Sequence, residues 1–143
     1  MINRRMISAA VALVSSAVGM VLSAAHTKKD LIEIRRERWE ELRNLSTSKE
    51  KKMEEGLAEY RNTPDAVLLE VRDRSDYDQG HIPGAVHAEL QSVRFVHYSL
   101  DTPLFIYCYR GNRSAMAAEM LREAGFKRIK DIGGIEWYHG DLE

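Results

Sequence analysis

Two short apolar runs constrain this chain more than anything else in it. Ala66-Val67-Leu68-Leu69-Glu70-Val71 and Leu104-Phe105-Ile106-Tyr107 are nearly continuous, without the polar alternation of a strand that has one face in water. Runs of this length suit strands covered on both faces, and such strands belong to parallel sheets sandwiched between helices. Ala85-Val86-His87-Ala88 and Ile129 to Ile132, the latter closed by Gly133-Gly134, supply two more short strands. Helical stretches fall between them: a turn from Ser75 to Gln79 with Ser75 as its cap, then Glu89 to Tyr98, then Ser114 to Ala124. The last has Ala117, Ala118, Leu121 and Ala124 along one side and Gly125 placed to end it. The alternation predicts an α/β fold, a parallel sheet flanked by helices.

The residues ahead of this pattern read differently. Met6 to Ala25 is a run of 20 residues without a charge, preceded by Arg4 and Arg5. At about 1.5 Å per residue such a helix matches the thickness of a bilayer core. Residues 1–27 are therefore expected to be a transmembrane anchor, with a signal peptide cleaved after Ser23-Ala24-Ala25 as the alternative. The anchor reading makes the chain a single-pass membrane protein through residues 6–25. Lys28, Lys29, Arg35, Arg36 and Arg38 outnumber Arg4 and Arg5, which leans the domain toward the cytoplasm; cleavage would instead export it. Residues 28–45 read as an amphipathic linker helix, with Leu31, Ile34, Leu42 and Leu45 near one stripe and Ile32 and Trp39 beside it. Ser46-Thr47-Ser48 is expected to break that helix, and Ser48 to cap a second one over Lys49 to Tyr60. The main domain is then residues 46–143.

Composition removes several function classes. With 21 basic and 22 acidic residues the net charge is −1, which gives no footing for nucleic acid. The single cysteine rules out an internal disulfide and any zinc site built on paired sulfurs. His26, His81, His87, His97 and His139 do not fall at metal-ligand spacing, so neither a metal nor another cofactor is implied.

The chemistry concentrates in Cys108-Tyr109-Arg110-Gly111-Asn112-Arg113-Ser114, which joins a buried strand to the start of a helix. Sites in open α/β sheets lie beyond the carboxyl ends of strands, where this segment falls. A loop there can turn successive N–H groups toward one point, and the following helix adds its dipole; together they make an anion cradle. Gly111 allows the positive φ that such a curl needs, and Arg110 and Arg113 contribute formal charge. A cysteine at the first position of that cradle is set up as a thiolate nucleophile, because helix N-termini and cations lower a thiol pKa. The bland alternative is a small buried hydrophobe.

These residues carry a resemblance. Glu70-Val71-Arg72 followed by Tyr77-Asp78-Gln79-Gly80-His81-Ile82-Pro83-Gly84-Ala85 resembles the first signature of rhodanese domains. The segment from Cys108 to Ser114 resembles their active-site loop, in the C-x-x-G-x-R form of single-domain bacterial members, and Gly133-Gly134-Ile135 with Trp137-Tyr138 resembles their closing signature. The resemblance implies a rhodanese-like fold and a sulfurtransferase. Sulfane sulfur would pass from a donor such as thiosulfate to Cys108, and from the persulfide to a thiol, cyanide or a protein acceptor. It implies Cys108 as nucleophile, Tyr109, Arg110, Gly111, Asn112 and Arg113 as the substrate cradle, and Glu70 and Arg72 as supporting residues at the neighbouring strand end. The family usually shows Asp where this chain has Glu70, which bears on how the loop arginine is held. Its first edge strand is hard to find; only Arg43 to Ser46 offers one. Four residues between Cys108 and Arg113 favour sulfur over the wider phosphate cradle of related phosphatases. His81 is expected to fix its turn by hydrogen bonding, and Trp137 and Tyr138 to be packing residues. A binding or regulatory module of the same fold, or a thiol redox sensor, stands as the alternative to turnover.

Overall fold

The computed structural model describes the backbone from Arg4 and the side chains from Asp30 to Glu143. It opens with a helix, α1 (Arg4–Asn62). The remaining elements are β1 (Val67–Glu70), α2 (Arg74–Gln79), β2 (Ala85–His87), a 3-10 helix (Leu90–Phe95), β3 (Leu104–Cys108), α3 (Asn112–Glu123), β4 (Ile129–Gly134) and a final 3-10 turn (Ile135–Trp137). The four strands form one sheet in the order β2-β1-β3-β4, every neighbouring pair parallel. This is the α/β architecture that the apolar runs predict.

Several local expectations give way. α1 runs without interruption through Ser46-Thr47-Ser48. Serine and threonine cost a helix interior only about 0.5 kcal/mol each, and neither proline nor glycine is there to force a break. Arg43 to Ser46 lie in this helix, so no edge strand forms from them. The cap position of α2 belongs to Asp73, two residues ahead of the expected Ser75. The helical segment after β2 is a 3-10 helix of six residues, Leu90–Phe95, shorter than the expected Glu89 to Tyr98. The apolar run 6–25, and with it the choice between anchor and cleaved leader, lies outside the residues whose side chains are described. Among the described residues no helix is long and apolar enough to cross a membrane.

The chain divides into two compact units, Met1–Asn44 and Leu45–Glu143. In the first, Leu31, Ile34, Trp39 and Leu42 are exposed and border a shallow groove with Arg35 and Arg38. In the second, the sheet has a core on each face. One holds Leu69, Val71, Val93, Leu104, Ile106 and Cys108 against Ala117, Ala118 and Leu121 of α3. The other holds Leu68, Phe105, Tyr107 and Ile132 against Met53 and Leu57 of α1 and Ile82 after α2. The alternation along β3 follows from the strand period of two: Tyr107 faces one core and Cys108 the other.

Gly56 shows why α1 docks where it does. A glycine inside a helix costs about 1 kcal/mol relative to alanine. Here a Cβ at Gly56 would stand 2.6 Å from Ile132 Cβ, so the bare backbone is what lets the helix reach the sheet. At the far end of α3 the chain closes in a Schellman arrangement: Gly125, at φ 99°, donates to Arg122 O at 3.0 Å, and Phe126 to Leu121 O at 3.1 Å.

Strand order reverses between β1 and β3, since the chain leaves β1 toward β2 on one side and returns to place β3 on the other. Such a switch point opens a crevice beyond the strand ends. Glu70 ends β1 there, and Cys108 ends β3.

Candidate active site

Cys108 is 2% exposed, at the floor of the loop that leads into α3. Gly111, with φ 96°, turns the chain so that its N–H points back at Cys108 Sγ, 3.1 Å away. The loop rests on the end of β4. A Cβ on Gly134 would meet Arg110 Cα at 2.6 Å, with the Tyr109 carbonyl closer still, and a Cβ on Gly111 would meet Gly133 Cα at 3.3 Å. The paired glycines of β4 are therefore a seat cut to the backbone of the loop.

Between Ile106 and Tyr107 the β3–β4 register shifts, leaving Ile132 as an extra residue opposite the strand end. Bulges of this kind re-aim side chains next to sites. Asp131, just before it, accepts a hydrogen bond from Gly133 N–H at 3.0 Å and one from Ser114 Oγ at 2.6 Å. Its other oxygen takes Lys52 Nζ of α1 at 2.6 Å. Ser114 is fully buried, and its hydroxyl lies 3.7 Å from Cys108 Sγ. Neither Asp131, Lys52 nor Ser114 carries a role in the sequence reading. The available signal was an aspartate inside a strand, a position where charge needs a partner.

The cradle residues sit together, but their charges do not converge on sulfur. Arg110 is turned to solvent, donates to Glu136 at 3.2 Å and lies 5.5 Å over the Tyr109 ring. Arg113 donates to Asp73 at 3.2 Å and approaches Asp76 at 4.0 Å. Each arginine thus brings its own carboxylate. The formal charge expected of Arg110 and Arg113 is present but paired with carboxylates, and the group directed at the sulfur is the Gly111 N–H. Tyr109 and Asn112 are exposed on the rim.

Glu70 and Arg72 pair with each other in a buried contact, and neither holds the loop arginine. Glu70, fully buried, also accepts the Tyr107 hydroxyl at 2.6 Å. That hydroxyl in turn accepts Ile82 N–H at 3.0 Å. Arg72 reaches Gly80 O at 2.7 Å, and His87 Nε2 lies 2.8 Å from Arg72 O. Burial, reinforced by the hydrogen bond to Glu70, pushes the Tyr107 phenol well above its usual range. The cluster ties the ends of β1 and β3 to the turn after α2. His81 is fixed in that turn: its Nδ1 lies 3.0 Å from Tyr77 O, its ring stacks on Tyr77 at 3.8 Å, and its backbone pairs with Glu143 in both directions.

Beside the loop is a cleft of about 190 Å³ bordered by Lys49, Lys52, Arg110, Asn112, Gly134 and Trp137. Lys49 Nζ lies 5.7 Å from the centre of the Trp137 ring, and the buried Trp137 Nε1 has no hydrogen-bond partner among the described residues.

A buried cysteine at a strand end, an N–H aimed at its sulfur and a switch-point crevice define a thiol-centred site in an open parallel α/β domain. The rhodanese-like domain model matches residues 53–141, and the chain belongs to that family. Relatives include thiosulfate sulfurtransferase GlpE of Ectopseudomonas mendocina, 38% identical over 50% of this chain and 68% of that protein. The putative sulfur carrier protein YrkF of Bacillus subtilis is 35% identical over 49% of this chain and 40% of its own length. A tRNA sulfurtransferase of Desulfurococcus amylolyticus is 35% identical, but the match spans only 16% of it. Among solved structures, the Alr3790 protein of Anabaena is 28% identical with a TM-score of 0.52 over 57% of this chain and 70% of that one. A rhodanese with anions from E. coli, 24% identical with a TM-score of 0.50, covers 55% of this chain and 96% of that one, and shares the fold.

Proposed function

We propose that the protein is a sulfurtransferase that carries sulfane sulfur on Cys108. The observation that carries this reading is the Gly111 N–H held 3.1 Å from Cys108 Sγ in a loop seated on Gly133-Gly134. In the first step the Cys108 thiolate attacks the outer sulfur of a donor such as thiosulfate. The S–S bond of the donor breaks, sulfite leaves with the electron pair, and a Cys108 persulfide remains. In the second step an external thiolate or cyanide takes the outer sulfur and returns the Cys108 thiolate. With one cysteine in the chain the acceptor comes from outside, and ping-pong kinetics are the signature. The Gly111 N–H aimed at the sulfur stabilises the anion in both steps. The relatives named as thiosulfate sulfurtransferases and as a sulfur carrier support the same chemistry. Membrane attachment through residues 6–25 belongs to this reading and is supported by the uncharged run of 20 residues.

The test is intact mass spectrometry of the full chain after incubation with thiosulfate. A gain of one sulfur on wild type, absent from Cys108→Ser and reversed by cyanide, is expected. A folded protein whose Cys108 alkylates yet never gains sulfur would overturn the reading and favour a binding module or redox sensor.

A further inference from the structure

Ser114 presents one hydroxyl proton to more acceptors than it can serve. Its Oγ lies 2.6 Å from Asp131 Oδ1, 3.1 Å from Gly111 O, 3.2 Å from Gly133 O and 3.7 Å from Cys108 Sγ. The shortest contact, and the charged acceptor, take the proton when the sulfur is a thiol. The Ser114 lone pair then receives the Cys108 S–H. A thiolate has no proton to give, and a buried sulfur anion needs donors. Gly111 N–H is one such donor. Ser114 is placed to be the second, by rotating its O–H from Asp131 to Sγ. Asp131 can release that proton because Gly133 N–H and Lys52 Nζ remain on it.

We propose that Ser114 is a positioning residue that exchanges its proton between Asp131 and the Cys108 sulfur, and that the Lys52–Asp131 pair sets the balance of that exchange. The proposal concerns the thiol and thiolate of the sulfurtransferase site described above and deepens that reading. The other charges near the sulfur are already paired: Arg113 with Asp73 and Asp76, Arg110 with Glu136, and Glu70 with Arg72 at the neighbouring strand end. Asp131 is the carboxylate linked to the sulfur through a hydroxyl, and Lys52 neutralises it from α1. Without Lys52 the carboxylate would oppose a sulfur anion and hold the serine proton more tightly.

The test is the pH dependence of Cys108 alkylation by iodoacetamide in the full chain, which the single cysteine makes unambiguous. Ser114→Ala is expected to raise the half-maximal pH by about one unit, the lower end for a hydrogen bond to a charged group. Ser114→Thr, which keeps the hydroxyl, restores the wild-type midpoint. Lys52→Met raises the midpoint and Asp131→Asn lowers it, each by a smaller amount. An unchanged midpoint in Ser114→Ala, with the protein folded by circular dichroism, would overturn the proposal. So would equal shifts of one sign in Lys52→Met and Asp131→Asn, the pattern of a merely structural network. No sulfur donor enters the assay, so its outcome is independent of whether Cys108 accepts sulfur.

Discussion

Arg113 of the loop and Asp73 at the head of α2 meet at 3.2 Å, so the arginine that closes the cradle is held by the residue that starts another helix. Asp73 is 70% exposed and Arg113 34% exposed, which keeps the pair's value to stability under about 1 kcal/mol. Its value is positional. Asp73→Ala is expected to leave the melting temperature nearly unchanged and, for the sulfurtransferase activity proposed above, to raise the KM for thiosulfate about fivefold, the equivalent of about 1 kcal/mol. Steady-state kinetics beside a thermal melt would separate the two effects.

Tyr107→Phe removes a hydroxyl that serves two buried partners at once, Glu70 and Ile82 N–H. Both are left short of a hydrogen bond inside the protein, at about 1–3 kcal/mol for such a group. Urea denaturation is expected to show a loss of at least about 2 kcal/mol. Glu70→Gln keeps an acceptor for the phenol but unpairs Arg72, and losing one partner of a buried ion pair costs about 3–5 kcal/mol. The glutamine variant is thus expected to be the less stable of the two.

The same phenol makes stability fall in alkali. Burial, and then the hydrogen bond to Glu70, raise its pKa in the folded chain above the ordinary value of about 10. The folded state therefore binds a proton that the unfolded state gives up. The stabilisation is fully present below about pH 10 and is lost as pH rises above it, at up to about 1.4 kcal/mol per pH unit. Denaturation curves between pH 9 and 11 are expected to fall more steeply for wild type than for Tyr107→Phe.

Gly134→Ala places a methyl group 2.6 Å from Arg110 Cα, against backbone that has no rotamer to change. The loop must lift. Overpacking of this kind costs about 1–3 kcal/mol. Because Cys108 is only 2% exposed in the seated loop, alkylation of the variant by a bulky maleimide is expected to be faster than that of wild type.

The sheet was readable in the sequence because Leu68, Leu69, Phe105 and Ile106 need cover on both faces, and a parallel sheet supplies it. The loop was readable because strand, cysteine, glycine and helix follow one another without a gap. What holds the loop was not. Arg113 is adjacent to nothing informative in sequence; its carboxylates, Asp73 and Asp76, arrive from another crossover. Tyr107 read as one more apolar strand residue, although a fully buried tyrosine needs a partner for its hydroxyl. Asking for that partner would have led to Glu70. The helix break expected at Ser46-Thr47-Ser48 failed because weak helix formers carry a small penalty that neighbouring turns absorb, whereas proline or glycine would have signalled a stop.

Tyr107 and Cys108 are consecutive, yet they face opposite sides of the sheet. The cysteine opens the loop on one side, and the tyrosine is bolted to Glu70 on the reverse. Anyone grafting the seven residues from Cys108 to Ser114 onto another parallel sheet would move the cradle without its anchorage. The smallest transplantable unit also takes the tips of β1 and β4 and the turn from Gly80 to Ile82, residues that lie outside the loop itself.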